Sequence, residues 1–434
     1  MKKYDSYKDS GVKWLGEIPE HWELRKLKWI FTEKKKVTNP TLNCGSISFG
    51  RVVYKDDEKI PEATKKSYQV VNKGEFLLNP LNLNYDLKSL RIALSEIDVV
   101  VSSGYIVLQN QIQIQKDYFK WLLHIYDIFY MKTLGAGVRQ TINFYDISES
   151  LLCLPNEVEQ QAIAEFLDEK TAKIDQAIAI KEKEIDLLKE RRQILIQELV
   201  TGKKVWDDNQ WSKPTKTKDS GVDWIGEIPE DWEVRKLKYC LNSKLKYGAN
   251  ESGVDYDVDL PRYIRISDFG MDGKLSEEKK LSLTEKQAQD YYLKDGDILF
   301  ARSGATVGKT YQFKLSMSYE NSYAFAGYLI KAEVNPNIIL SDYLYLYTNS
   351  PVFEDWKETI FNKATIENIG ADKYANLLVI VPDIEEQKII LKEFDSKNQK
   401  FDKTISLKQQ EIEKLKEYKT VLIDNVVTGK IKVC

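Results

Sequence analysis

The sequence predicts an α+β protein built as a pseudo-twofold internal repeat. It comprises two strand-rich globular domains separated by two long helices that pack on each other as a coiled coil. Three observations carry this prediction. The segment Lys8–Lys28 recurs at Lys218–Lys238 with 17 of 21 positions identical and no gap. A second pair closes each half, where Pro155–Gln160 matches Pro382–Gln387 and the match runs ungapped to Val200-Thr201-Gly202-Lys203 and Val427-Thr428-Gly429-Lys430. Between the paired ends, residues 29–154 and 239–381 show little similarity, so constant ends flank variable middles.

In chain order, residues 1–154 form a first globular domain with its constant entry segment at 8–28. Residues 155–202 form a first long helix and 203–217, which includes Lys-Pro-Thr-Lys-Thr, a polar linker. Residues 218–381 are a second domain with entry segment 218–238, followed by a second long helix at 382–429 and a tail at 430–434.

The helices follow from periodicity. Ile174, Ile178, Lys181, Ile185, Leu188, Arg192, Leu195 and Leu199 alternate in steps of four and three, the period of a coiled-coil seam. The second copy keeps the phase with Phe401, Ile405, Lys408, Ile412, Leu415, Lys419, Leu422 and Val426. Basic residues fall in the third and sixth layers of both seams and meet each other in either helix orientation. A proline precedes each helix and a glycine follows it. About forty residues at 1.5 Å each make a rod roughly 60 Å long, with one apolar stripe that needs a partner.

Within the domains, β-branched and aromatic runs at 95–108, 297–301 and 323–334 predict strands, and 116–132 and 341–359 predict helices. Lys73-Gly74-Glu75-Phe76-Leu77 echoes Asp295-Gly296-Asp297-Ile298-Leu299, each a turn entering a strand, so the inserts are expected to share a fold.

Several chemistries are disfavoured. The four cysteines are dispersed and read as reduced, and two histidines, His21 and His124, give little material for a metal site or a Ser-His triad. No metal site is expected. No apolar run reaches membrane-span length and the first ten residues lack a hydrophobic core, so the expectation is a cytoplasmic protein with no membrane partner. Gly304 and Gly308 enclose three residues where a nucleotide-binding loop needs four, and Tyr311-Gln312-Phe313 follows as a strand. Such a turn still offers amides to a DNA phosphate. Asn79-Pro80-Leu81 lacks the second proline and aromatic of an adenine methyltransferase motif, and Asp255, Asp257 and Asp259 lack calcium-loop spacing.

What remains is a set of amides, hydroxyls and basic residues in turns, the residue types that read base edges and grip phosphates. The DNA-binding candidates are Asn79, Asn82, Arg91, Arg139, Gln140, Thr141 and Asn143 in the first domain. In the second they are Arg302, Ser303, Thr306, Lys309, Lys363, Thr365 and Asn368. Turn formation or helix capping is the competing role for about half of them.

The whole chain resembles the DNA specificity subunit of type I restriction-modification systems. The likeness rests on Gly-x-x-Trp-(Leu/Ile)-Gly-Glu-Ile-Pro-Glu-x-Trp at Gly11–Trp22 and Gly221–Trp232, Pro-x-x-x-x-Gln at Pro155–Gln160 and Pro382–Gln387, and the paired helices. It implies that each variable domain is a target-recognition domain reading half of a bipartite double-stranded DNA site, and that the helices are an antiparallel spacer. It also implies two modification subunits for adenine methylation and, in addition, restriction subunits. No catalytic residue and no cofactor is then expected in this chain, while S-adenosylmethionine, ATP and Mg belong to the partners. A non-DNA scaffold would share the helices without needing loop-rich inserts. The formal net charge is −3, with residues 29–154 at +2 and 239–381 at −4. Bulk charge therefore predicts weak solitary binding to DNA and dependence on partners that close around the duplex.

Overall fold

The computed structural model describes residues 2–48, 50–82, 90–134, 140–207, 210–270, 273–304, 306–361 and 368–433, with only the main chain of Asn82 and Gln140. Two helices of 44 residues, Glu157–Val200 and Ile384–Val427, are its longest elements. Each begins where a side chain takes an otherwise unpaired amide: Asn156 Oδ1 accepts Glu159 N–H at 3.0 Å, and Asp383 Oδ1 accepts Glu386 N–H at 2.8 Å. Each ends at a left-handed glycine, Gly202 at φ +68° and Gly429 at φ +76°.

The chain divides into two compact units, residues 1–182 with 409–434, and residues 183–408. The boundary runs through both helices, so each unit combines one globular domain with half of each helix. In the first unit Asp175 pairs with Lys419 and Lys181 with Glu411. In the second, Glu184 pairs with Lys408 and Arg192 with Asp402. Partner numbers fall as the first number rises, so the halves pair antiparallel within each unit. Seam residues Ile174, Ile185, Leu199, Ile412, Leu422 and Val426 are buried. Ile178, Leu188, Leu195, Phe401, Ile405 and Leu415 are partly buried.

The basic layers do not meet base to base. Each lysine or arginine instead reaches a carboxylate on the facing helix. The four bonds are related in pairs by the repeat, since Lys181 and Glu411 correspond to Lys408 and Glu184. Half-exposed pairs of this kind contribute about 0.2–1 kcal/mol each, so their main effect is to fix register, while apolar burial supplies most of the stability.

Each domain has its own four-stranded sheet of the same design. In the first unit the order is Ile92–Leu94, Phe76–Leu78, Ile106–Asn110, Phe31–Glu33, all antiparallel. In the second it is Thr310–Gln312, Ile298–Ala301, Leu329–Ala332, Lys246–Tyr247, again antiparallel. The echoed turns precede the same central strand, with Gly74 and Gly296 both left-handed at φ +86° and +84°. The entry segments add Glu23–Lys26 to Leu151–Leu154 and Glu233–Lys236 to Leu378–Val381, which joins the start of each domain to the strand before each long helix.

The glutamine of each closing motif has a defined task. Gln160 Nε2 donates to Pro155 O at 2.7 Å and its oxygen accepts Gln115 N–H at 3.3 Å. Gln387 Nε2 donates to Pro382 O at 2.9 Å and Ile338 O at 3.0 Å, and its oxygen accepts Leu340 N–H at 2.8 Å. Both are buried, and both tie the long helix to the segment that opens the domain's own helix, Lys116–Phe129 or Ser341–Tyr347.

Two expectations change. The run 341–359 is two helices, Ser341–Tyr347 and Pro351–Phe361, because Pro351 lacks an amide and disfavours helical backbone at Ser350. The linker contains a hairpin, Val205–Asp207 with Gln210–Ser212, held by Trp206 against Trp211 at 5.6 Å between ring centroids. Its pairing of Val205 with Ser212 is repeated in the first unit by the bridge of Lys432 with Lys2. Among the described residues, no helix is long and apolar enough to cross a membrane and no cluster of metal-ligating side chains occurs.

The entry-segment tryptophans hold these parts together. Trp22 is buried, and its Nε1–H donates to Glu159 Oε1 at 3.3 Å, while His21 Nε2 lies 3.0 Å from the same oxygen. Trp232 donates to Glu386 Oε2 at 2.7 Å, but Asp231 stands in the place of His21. Burial pushes the Glu386 carboxyl up to about 7, the bond from Trp232 opposes this, and Asp231 and Asp383 add to it. The far end of each indole, away from Nε1, meets the glycine ending a long helix. A Cβ on Gly202 would lie 2.3 Å from Pro229 Cδ and 3.1 Å from Trp232, and one on Gly429 would lie 2.4 Å from Pro19 Cδ and 2.9 Å from Trp22.

Gly202→Ala and Gly429→Ala should each destabilise the protein by at least roughly 1–3 kcal/mol, through the left-handed backbone plus the overlap. Urea unfolding measures the loss. Hydrogen exchange should place it around Trp232 for the first variant and Trp22 for the second; protection unchanged at both tryptophans would contradict this. A carboxyl raised in the folded state stabilises below its ordinary value of 4.5 and loses that contribution as the pH climbs to about 7. Glu386→Gln keeps an acceptor for Trp232 and removes the charge. The variant should therefore melt above the parent at pH 8, with the difference shrinking toward pH 5.

Candidate nucleic-acid interface

In both units the candidates gather where the central strand leaves the sheet. In the first, Leu81–Asn82 pairs antiparallel with Gln140–Thr141, Leu81 opposite Thr141 and Asn82 opposite Gln140. In the second, Ser303 bridges Asn368 in the same sense. The supporting bonds also match: Ile142 N–H donates to Pro80 O at 3.1 Å, and Ile369 N–H to Arg302 O at 2.8 Å. A short helix follows each, Phe144–Ser148 and Ala371–Ala375. Two segments far apart in sequence thus form one polar edge in each unit, on the same scaffold and with different side chains.

The structure sorts the remaining candidates. Thr141 and Thr306 are exposed, while Arg302, Ser303 and Asn368 are partly buried. Asn79 is partly buried and its Oδ1 accepts Leu81 N–H at 3.1 Å, a turn bond that leaves its amide nitrogen for other use. Asn143 caps the helix Phe144–Ser148, accepting Asp146 N–H at 3.2 Å while its own amide donates to the Asp146 carboxylate. Capping is therefore its first role. Arg139, Lys363 and Thr365 lie outside the described residues, as do the side chains of Asn82 and Gln140.

Arg91 and Lys309 leave the candidate set. Arg91 is 5% exposed, with its amide 2.6 Å and its Nε 2.9 Å from the fully buried Asp127 carboxylate. Burial raises the Asp127 carboxyl although Arg91 opposes the shift. The pair lies in the interior and cannot turn outward without stranding a buried charge. Lys309 Nζ donates to Phe269 O at 2.8 Å. The phosphate-cradle reading of its turn also fails, because the amides of Val307, Gly308 and Lys309 donate to Gly304, Ala301 and Thr306 carbonyls.

The sequence did not single out Tyr247 and Tyr328. Tyr247 lies on the strand beside this edge, with its ring 5.0 Å from the Arg302 guanidinium carbon. The exposed Tyr328 supplies the carbonyl that accepts Arg302 N–H at 3.1 Å. The available signal is the glycine beside each tyrosine: a Cβ on Gly248 would lie 2.3 Å from the carbonyl oxygens of Phe325 and Ala326, and one on Gly327 3.1 Å from Ala249 O. In chemical terms the edge offers directional donors and acceptors, aromatic faces and a guanidinium.

Comparison with known proteins agrees with the doubled organisation of the chain. The model of the type I restriction modification DNA specificity domain matches the chain twice, at residues 19–190 and 229–417. The MjaVIII type I restriction enzyme specificity subunit of Methanocaldococcus jannaschii is 24% identical over 98% of this chain and 97% of its own length. The EcoBI specificity subunit of Escherichia coli is 27% identical over 57% of this chain and 51% of its own. A solved chain, from work on complex assembly and conformational transition of the type I R-M system, shares the fold with a TM-score of 0.68. It is 16% identical, and the match covers 95% of this chain and 99% of that one. The two matches, one on each framework copy, together span most of the chain and place it in the type I restriction-modification DNA specificity family.

Proposed function

We propose that this chain is the DNA-recognition subunit of a cytoplasmic type I restriction-modification complex, with each globular domain reading one half of a bipartite double-stranded site. The observation that carries this reading is the paired polar edge. Leu81–Asn82 with Gln140–Thr141, and Ser303 with Asn368, occupy equivalent places on sheets of the same design while the residues displayed differ. One scaffold used twice with different edges suits an asymmetric sequence read in two halves.

The chain itself supplies no catalytic group in this reading. Methyl donor, ATP and Mg belong to modification and restriction subunits, and adenine methylation requires a flipped base held in a partner's pocket. The helices favour two identical modification subunits. Ile180 and Val421 in the first unit, and Leu407 and Ile194 in the second, are about half exposed and correspond to one another through the repeat. Equivalent apolar positions outside the seam suit two copies of one partner. The helices also set the spacing of the half-sites, as a rigid connection does for other two-part readers.

Replacing residues 29–154 with the corresponding insert of another family member, and co-expressing the chimaera with the modification subunit, should change one half of the methylated motif. The other half should stay as it was. Methylome sequencing provides the readout, and simultaneous change of both halves would refute the modular reading.

A further inference from the structure

Arg302 in the second unit stands where the first unit has Pro80. The main chain does the same work at both positions, each carbonyl accepting the amide of the following segment, Ile142 or Ile369. With the backbone fixed in this way, the side chain is the part that differs.

The Arg302 side chain is held against an aromatic ring, with no counter-charge among the described residues. Its guanidinium carbon lies 5.0 Å from the centre of the Tyr247 ring, and the Tyr247 hydroxyl accepts Ala371 N–H at 2.9 Å, which pins the ring. Among the described residues no carboxylate pairs with Arg302, and its buried Nε has no hydrogen-bond partner. Asn368, whose main chain bridges Ser303 beside it, has a buried side-chain oxygen that also lacks one. Buried polar groups are almost always satisfied, so two orphans on one edge call for a partner, which a bound ligand would supply. Arginine elsewhere in this domain is paired, as where Arg262 meets Glu277 and Glu320. A stacked guanidinium presents a planar donor fork, which matches the O6 and N7 acceptors of guanine.

We propose that Arg302 is the guanine-reading residue of the second domain, positioned by Tyr247 and Asn368, and that the first domain, with Pro80 in that place, makes no equivalent contact. This rests on the DNA-recognition reading above. The second half-site then contains a G·C pair whose discrimination depends on one side chain.

The test is the host methylome with the full complex carrying the parent chain, Arg302→Ala, Arg302→Lys or Tyr247→Leu. All three variants should relax a single G·C position in one half-site by about tenfold or more, the scale of losing one bidentate base contact, and leave the other half intact. Lysine retains the charge but not the fork, so its relaxation separates base reading from phosphate attraction. If Arg302→Ala fails to fold by circular dichroism, Arg302→Lys carries the test. An unchanged motif overturns the assignment, as does a uniform loss of methylation with unaltered sequence preference, or relaxation at an A·T pair. A parent complex that methylates no bipartite motif overturns instead the DNA-recognition reading on which the assignment depends.

Discussion

Each unit depends on the contact between an entry-segment tryptophan, the start of one long helix and the end of the other. Trp22 bonds Glu159 at the start of the first helix and packs on Gly429 after the second. Trp232 bonds Glu386 at the start of the second and packs on Gly202 after the first. A helix start and a helix end held by one ring must run in opposite directions, so antiparallel pairing follows from the anchors. The seam and its ion pairs then select register. The ring tolerates little adjustment, because a glycine without a Cβ is needed on one side and a carboxylate acceptor, buried at Glu159 and partly buried at Glu386, on the other.

Much of this framework was legible in the sequence because its residues act through local, repeated chemistry. The seam period, the bounding prolines and glycines and the Pro-x-x-x-x-Gln motifs correspond to burial, caps and buried amide bonds found in the structure. The seam alone did not give orientation, since a four-three period is the same in either direction; the family resemblance supplied the antiparallel sense. The coincidence of basic layers also did not show how those residues are paired. Layer counting sees only seam residues, whereas Lys181 and Arg192 reach carboxylates that flank the facing seam. The break in 341–359 could have been seen at Pro351, but an otherwise apolar run masked it.

The recognition edge was legible in part, for a different reason. Turn residues are chosen both for their own backbone bonds and for what they offer to a ligand, and residue type does not separate the two. Asn143 is a cap, Arg91 belongs to a buried pair, and Lys309 is spent on a carbonyl. Ser303 and Asn368 are brought together by a strand pairing across more than sixty residues that no local pattern encodes. Tyr247 was missed because its role depends on Arg302, which follows a different strand of the fold.

The repeat also explains how an acidic-to-neutral chain serves a polyanion. Counterion release rewards bulk positive charge without regard to sequence, and a chain with net charge −3 forgoes most of that gain. What remains is directional: donors and acceptors on a rigid edge, each worth more when the surroundings exclude water. Such an edge loses little selectivity to nonspecific attraction, but it needs other surfaces to supply the grip. The repeat-related apolar positions on the two helices offer a place for those surfaces to attach. In the proposed reading, low charge on the reader and repeat-related apolar positions on the helices belong to one arrangement, in which partner chains would supply affinity and this chain sequence discrimination.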